Sequence, residues 1–419
     1  MKKYQLNRRQ FSYALAGSMS LMSSARAANA KKKIAFLGTE VYQHSHAQHF
    51  LDRFSIGFSM GGRWHEPEVE IAAVYIDQHS DRDLAEKRIA KYGLKSAPSI
   101  AEALTLGTSN LAVDGVVVIG EHGSYPKTDR GQTRYPRYEW FQEIVKIFEH
   151  SGRSVPVFND KHLSTSWGEC REMVRDAKRL EFPFYAGSSL PVTWRLPALE
   201  LPYDTALKES VCVAYGGVDS YDFHALETAQ CMSERRVGGE VGIRSVLAAK
   251  DDHLWQELLR RDVTSQLFVS ALSRSHSLPV ETGYPTDRVT IDWAREALTS
   301  ITGYFIEHLD GFRTTIFLTN ISDFNYAGML SDGEIIGCQM MLPMPGRNAT
   351  TADFFNPLSA HVESMIVHGK TNYPIERTLL TSGMVIGGVE SLYLGEKPFL
   401  TDDMAVPYHA PRESMFWSI

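Results

Sequence analysis

The chain is poor in cysteine: Cys170, Cys212, Cys231 and Cys338 are the only four in 419 residues, scattered and without Cys-x-x-Cys spacing. That excludes a disulfide-stapled scaffold and a thiolate metal motif, and it predicts four small, buried, apolar side chains. Long apolar runs are missing too. Beyond the first 30 residues nothing approaches the ~18 consecutive apolar residues that a membrane-spanning helix needs. Nor is there a basic block. With 43 Lys and Arg against 50 Asp and Glu, a net charge of −7, the chain lacks the electrostatic footprint of a nucleic-acid-binding protein. Internal repeats and low-complexity tracts are absent. What the sequence has is core: 43% hydrophobic and 11% aromatic residues, at a length that predicts two domains.

Residues 1–30 stand apart. Lys2 and Lys3 precede Asn7-Arg8-Arg9-Gln10-Phe11, an apolar run to Met22, and small residues at Ala25-Arg26-Ala27 and Ala28-Asn29-Ala30. An arginine pair before a weakly hydrophobic Ala/Gly/Ser-rich stretch reads as a twin-arginine signal peptide, cleaved after Ala27 or Ala30. The expectation is a periplasmic or secreted protein, passed already folded to the twin-arginine export machinery and free of the membrane after cleavage. Passengers of that route commonly load a cofactor first, which raises the expectation of a bound nucleotide or metal. The segment holds five basic side chains and no acidic one, so its removal takes the net charge from −7 to −12.

The runs 34–38, 69–76, 113–120, 154–158 and 184–187 are short and apolar, as buried parallel strands are. Helical patterns lie between them at 81–92, 99–106, 138–150 and 167–180. Strands alternating with helices predict an α/β fold, with a Rossmann-like doubly wound parallel sheet over residues 31–195. Pro191, Pro197 and Pro202 mark a change of regime. After it, strand-like runs at 210–215, 313–320 and 334–341 mix with helical patterns at 223–233, 252–273, 292–309 and 355–368. Residues 196–419 therefore read as an α+β domain with a mostly antiparallel sheet.

In an open parallel sheet, ligands bind outside the carboxyl ends of the strands. Those ends are densely ionisable here. Thr39, Glu40, His44, His46 and His49 follow the first strand, and Asp77 and His79 the second. Glu121, His122, Tyr125 and Arg130 follow the third, and Asn159, Asp160, Lys161 and His162 the fourth. Four consecutive strand ends bearing imidazoles or carboxylates predict a site lined by these loops. The segment Tyr125 to Tyr138, with Arg134, adds aromatic and guanidinium groups suited to sugar hydroxyls or carboxylates.

On these residues the chain resembles the glucose–fructose oxidoreductase/inositol dehydrogenase (Gfo/Idh/MocA) family. Asn159-Asp160-Lys161-His162, the helix with Glu172-Met173-Val174-Arg175 and the segment Pro183 to Ser188 are similar to the family's Glu-Lys-Pro segment and the helix and strand after it. Gly216-Gly217-Val218-Asp219-Ser220-Tyr221-Asp222-Phe223-His224 is similar to its Gly-rich turn into the helix bearing a catalytic His. Met365 to Lys370 with Glu390 to Tyr393 resembles its closing helix pair, whereas residues 240–350 match poorly. The resemblance implies NAD or NADP as cofactor, and oxidation or reduction of a sugar, polyol or cyclitol hydroxyl or carbonyl. It also implies a homo-oligomer formed through the outer face of the second sheet. Lys161 and His224 would be the catalytic pair, supported by Asp219 or Asp222. Gly38, Thr39, Glu40, Asp77, Glu121 and His122 would border the cofactor, and Tyr125, Arg134, Asp160, His162 and Tyr221 the carbohydrate-like substrate. Moving a hydride from a carbinol requires removal of the hydroxyl proton, which suits a His base, a Lys on the oxygen and a tuning carboxylate.

The chain departs from that family at its phosphate-binding turn. In place of Gly-x-Gly-x-x-Gly it has Gly38-Thr39-Glu40-Val41-Tyr42-Gln43-His44, with one Gly and a carboxylate, and His162 replaces the Pro after Lys161. The same substitutions supply imidazoles and carboxylates suited to a divalent metal: Glu40, His44, His46, Glu121, His122, Asp160 and His162. The alternative expectation is thus a metal-assisted carbohydrate lyase, isomerase or hydrolase on a Rossmann scaffold that has lost hydride transfer. A non-catalytic sugar receptor is a third class, disfavoured because its lobes would share one architecture.

Overall fold

Why the first strands are parallel and central is plain from their composition: they are apolar on both faces, so both faces must be covered. The computed structural model describes residues 30–280, 288–342 and 352–413, so the signal peptide expected over residues 1–30 lies almost wholly outside the described residues. β1 (Lys32–Gly38) leads through α1 (His46–Ile56) and a hairpin, β2 (Phe58–Met60) with β3 (Arg63–His65), to β4 (Val69–Ile76). Then come α2 (Ala85–Tyr92), α3 (Ile100–Thr105), β5 (Gly115–Ile119), α4 (Arg137–Ser151), β6 (Val157–Asp160), α5 (Trp167–Arg179) and β7 (Phe184–Gly187). The five long strands form one parallel sheet in the order β4-β1-β5-β6-β7. From β1 the chain steps first to one side and then to the other, so the topological switch point lies between β1 and β5.

β8 (Arg195–Leu196) and β9 (Leu207–Tyr215) open the second sheet, followed by α6 (Asp222–Ser233), β10 (Ile243–Lys250), α7 (Asp251–Leu259), α8 (Asp262–Leu272) and α9 (Ile291–Ala297). β11 (Thr302–His308), β12 (Arg313–Thr319), β13 (Phe324–Leu330), β14 (Ile335–Met340), α10 (Phe355–His368), α11 (Ile375–Tyr393) and β15 (Phe399–Leu400) complete it. The order is β15-β10-β11-β12-β9-β13-β14-β8, antiparallel except for the β9–β12 pair.

Side chains of β9 alternate as a strand requires. Cys212 and Ala214 face the core shared with the parallel sheet, α6 and α11, whereas Val211 and Val213 face Leu254, Trp255, Leu267 and Phe268 of α7 and α8. The outer face of the sheet, through which the resemblance implies oligomer contacts, is therefore covered by the chain's own helices. The four cysteines are buried and unpaired, as expected, and among the described residues no helix is long and apolar enough to cross a membrane.

The structure corrects several boundaries. The helix expected over 292–309 ends at Ala297, and its second half is β11. The helix expected over 252–273 divides at Arg260–Arg261. The strand expected at 154–158 begins at Val157, because Pro156 has no N–H to give the ladder. The helix expected from Asp81 starts at Ala85.

Candidate functional site

At the switch point the loops after β1 and β5 are tied together. The Thr39 amide donates to the Ile119 carbonyl at 3.2 Å, and its hydroxyl donates to the Glu121 carbonyl. This aims His46, in the first turn of α1, and Glu121 and His122, after β5, into a cavity of about 500 Å³. The end of β6 delivers Lys161 and His162 to the same space. α6, entered through Gly216-Gly217, delivers Tyr221 and His224, and Phe354 and Phe355 supply an apolar wall. Four non-glycine residues here hold a left-handed backbone: His44 (φ 70°), His122 (72°), Lys161 (69°) and Asp219 (58°). Each such residue costs on the order of 1 kcal/mol, so the surrounding structure imposes these positions.

A chain of ion pairs and hydrogen bonds crosses the cavity. His46 Nδ1 lies 2.8 Å from Asp160 Oδ2 and 3.1 Å from Glu121 Oε2. Glu121 Oε1 lies 3.1 Å from Lys161 Nζ, which in turn lies 2.5 Å from His224 Nε2. Behind His224, Nδ1 is 2.9 Å from the Ser188 hydroxyl, which donates to Glu227.

Burial strips water from these groups, and each responds by its partners. For Glu121 burial favours the neutral acid, yet the positive field of His46 and Lys161 wins and holds its carboxyl well below the usual range. Burial, then the Lys161 charge, keeps His224 neutral far below its ordinary range. Burial and Arg137, 2.9 Å away, do the same to His162. Burial raises Asp222 to about 6 and Glu227 to about 7.

The remaining residues named from sequence are placed around this centre. Asp219 accepts from the Thr133 amide at 2.7 Å and from the Gln132 side chain at 3.3 Å, tying that loop to the turn before α6. Asp222, the first residue of α6, accepts from the Phe223 amide at 2.9 Å and from the Tyr304 hydroxyl at 3.1 Å. Asp160 lies buried behind His46. Tyr125 and Arg134 do not reach the cavity: Tyr125 donates to Asp77 at 2.6 Å, and Arg134 is turned outward to Glu139 and Glu169. Gly38 lies beneath the crevice, against Ile76. Of the candidate metal ligands, Glu40 faces Arg82 at 3.5 Å. Only His46, Glu121 and Asp160 bring their ligand atoms together among the described residues, all within 4.8 Å of one another. Oδ1 of Asp160 is buried with no hydrogen-bond partner. Sequence reading missed Arg137, Ser188 and Glu227. Glu227 had a signal, three residues after His224 and so on the same helix face.

A parallel doubly wound sheet, an eight-stranded mixed sheet and a polar cavity at the switch point define the class. It is a two-sheet α/β architecture with its cavity at the carboxyl edge of the parallel sheet. No family model and no curated protein matches the chain. Among solved structures it is similar to GenD2 from gentamicin A biosynthesis in complex with NAD, at 12% identity over 91% of this chain and 99% of that one, with a TM-score of 0.57. It is similar also to the myo-inositol dehydrogenase of Lactobacillus casei in complex with NAD(H) and myo-inositol, at 10% identity over 92% and 99%, with a TM-score of 0.55. A third is the myo-inositol dehydrogenase of Corynebacterium glutamicum, at 11% identity over 89% and 99%, with a TM-score of 0.50. At these identities the likeness is one of fold.

At the end of β4 Asp77 is exposed and accepts from the Tyr75 and Tyr125 hydroxyls, and at the end of β6 Lys161 faces the cavity. The turn after β1 is of another kind. Ser45 caps α1 at the Gln48 amide, and Gln78 spans from the β4 loop to Ser124, donating at 3.1 Å and accepting at 2.8 Å. Arg82, stacked 3.6 Å from the Tyr42 ring centre, is the cation beside Glu40.

Proposed function

We propose that this protein is an oxidoreductase of a sugar, polyol or cyclitol, using NAD(P), in which Lys161 and His224 form the acid–base pair. The observation that carries this reading is the Lys161–His224 contact at 2.5 Å, opening on the cavity at the carboxyl edge of the parallel sheet. Asp77 would hold a ribose of the nucleotide and Arg82 would face its diphosphate charge. A bound nicotinamide would supply the hydride acceptor or donor. Neutral His224 takes the hydroxyl proton at Nε2, Lys161 donates a hydrogen bond to the same oxygen, and the Phe354 and Phe355 wall keeps water from the carbon. Lys161→Ala in a folded protein is expected to lower turnover of the responsive polyol or cyclitol by about 10²- to 10⁴-fold. Unchanged turnover would end the assignment.

The group His46, Glu121 and Asp160 favours a second reading, a divalent metal that polarises a hydroxyl or carbonyl without hydride transfer. Metal content of the purified protein by plasma emission, alongside mass spectrometry of released nucleotides, separates the two. Glu121→Gln with His46→Ala should empty a metal site, and metal content unmoved by that pair rejects these ligands. We also propose that the chain is exported by the twin-arginine route, on the strength of Arg8, Arg9 and Phe11.

A further inference from the structure

We propose that Ser188 and Glu227 are positioning residues that fix His224 as the Nδ1–H tautomer, so that bare Nε2 meets the substrate's hydroxyl. The inference rests on the acid–base role given to His224 above and deepens it.

Hydrogen-bond polarity carries the argument. Glu227 Oε2 accepts from the Ser188 backbone amide at 2.9 Å, and once Glu227 is ionised that oxygen can only accept. The Ser188 hydroxyl, bonded to the same oxygen, must therefore donate to it. A hydroxyl has one proton, so towards His224 the Ser188 oxygen can only accept, and Nδ1, 2.9 Å away, must carry the hydrogen. Burial keeps the imidazole neutral, so Nε2 is bare. Every link is enclosed: Ser188 and Glu227 are 0% exposed and His224 4%. The direction is thus set within the protein rather than by water.

Lys161 imposes the same tautomer from the cavity side, because an ammonium only donates. That hold is temporary in the proposed reaction, since a substrate hydroxyl must displace Lys161 from Nε2 to deliver its proton there. Ser188 and Glu227 keep the tautomer at that moment. Other groups close the relay from outside. Tyr373 and Thr378 donate to the Ala186 carbonyl at 2.9 and 2.7 Å, fixing the strand end that carries Ser188. Gly187 (φ 127°) leaves room that a Cβ would take from Glu227 and Tyr373.

The test is ¹⁵N NMR of histidine-labelled protein at pH 8.5, above the value of about 7 at which Glu227 ionises, which reads the tautomer directly and needs no substrate. Lys161→Met removes the competing donor. In that variant His224 should remain fully Nδ1–H, and Glu227→Gln, which keeps an acceptor for Ser188, should leave it so. Adding Ser188→Ala or Glu227→Leu to Lys161→Met should give a mixture of tautomers. An Nε2–H His224 in the wild type, or a pure Nδ1–H form surviving in both double variants, overturns the proposal. Because the readout is spectroscopic, an intact tautomer in a protein inactive on polyols would sink the oxidoreductase reading and leave this inference standing.

Discussion

Glu227 offers a sharp test of the electrostatics. Its carboxyl is fully buried and is raised from 4.5 to about 7, first by burial and against the hydrogen bonds from Ser188. In the folded state it keeps its proton up to about pH 7, and in the unfolded chain it loses it near pH 4.5. Between those values the unfolded state binds fewer protons, so this group makes stability fall as pH rises. At about 1.4 kcal/mol per pH unit, the loss between pH 5 and pH 8 is about 2–3 kcal/mol. Glu227→Gln removes the titration while keeping the acceptor that Ser188 needs. Urea unfolding of both proteins at pH 5 and pH 8 should show the variant gaining about 2–3 kcal/mol on the wild type across that range. His49, lowered to about 2 chiefly by burial, and His162 and His224, also lowered, tilt stability the other way, costing it below about pH 6.5. They are present in both proteins and cancel in the difference. Parallel curves, with the gap constant to within about 0.5 kcal/mol, would refute the reasoning, because they would mean that Glu227 ionises in the folded protein as freely as in the unfolded one.

Other parts of the molecule give two further expected outcomes. Gly388 of α11 lies against the Tyr304 ring of β11, where a Cβ would overlap the ring atoms. Gly388→Ala should therefore destabilise by about 1–3 kcal/mol of overpacking, against roughly 1 kcal/mol of helix propensity gained, and a raised melting temperature would contradict that contact. Replacing Arg8 and Arg9 together by Lys should leave the precursor in the cytoplasm on cell fractionation. Processed protein outside the inner membrane would reject the twin-arginine assignment.

The parallel sheet was legible because its strands are uninterrupted apolar runs bounded by loops, and its strand ends, read as a set, pointed to the cavity residues. His46, Glu121, His122 and Lys161 come from separate segments, yet the rule that ligands sit at carboxyl ends gathers them, whereas His224 was reached only through the resemblance of residues 216–224. The second sheet was less legible for a physical reason. Because α6 and α11 cover one face and α7 and α8 the other, β10, β11 and β13 lack the alternation of apolar and polar residues that betrays a half-exposed strand. Thr302–His308 is then hard to tell from a continuation of the helix before it.

The same enclosure hid the relay. Every residue of α6 is buried, so a glutamate on it looks in sequence like one on any solvated helix face, although it sits among groups that cannot reach water. Only the fold reveals that Glu227 is enclosed and that Ser188 of another segment bonds it. Lys161 and His224 name the chemistry of the cavity through their residue types, whereas Ser188 and Glu227 matter through direction. Hydrogen-bond direction is a property of the assembled network, with no counterpart in spacing or composition.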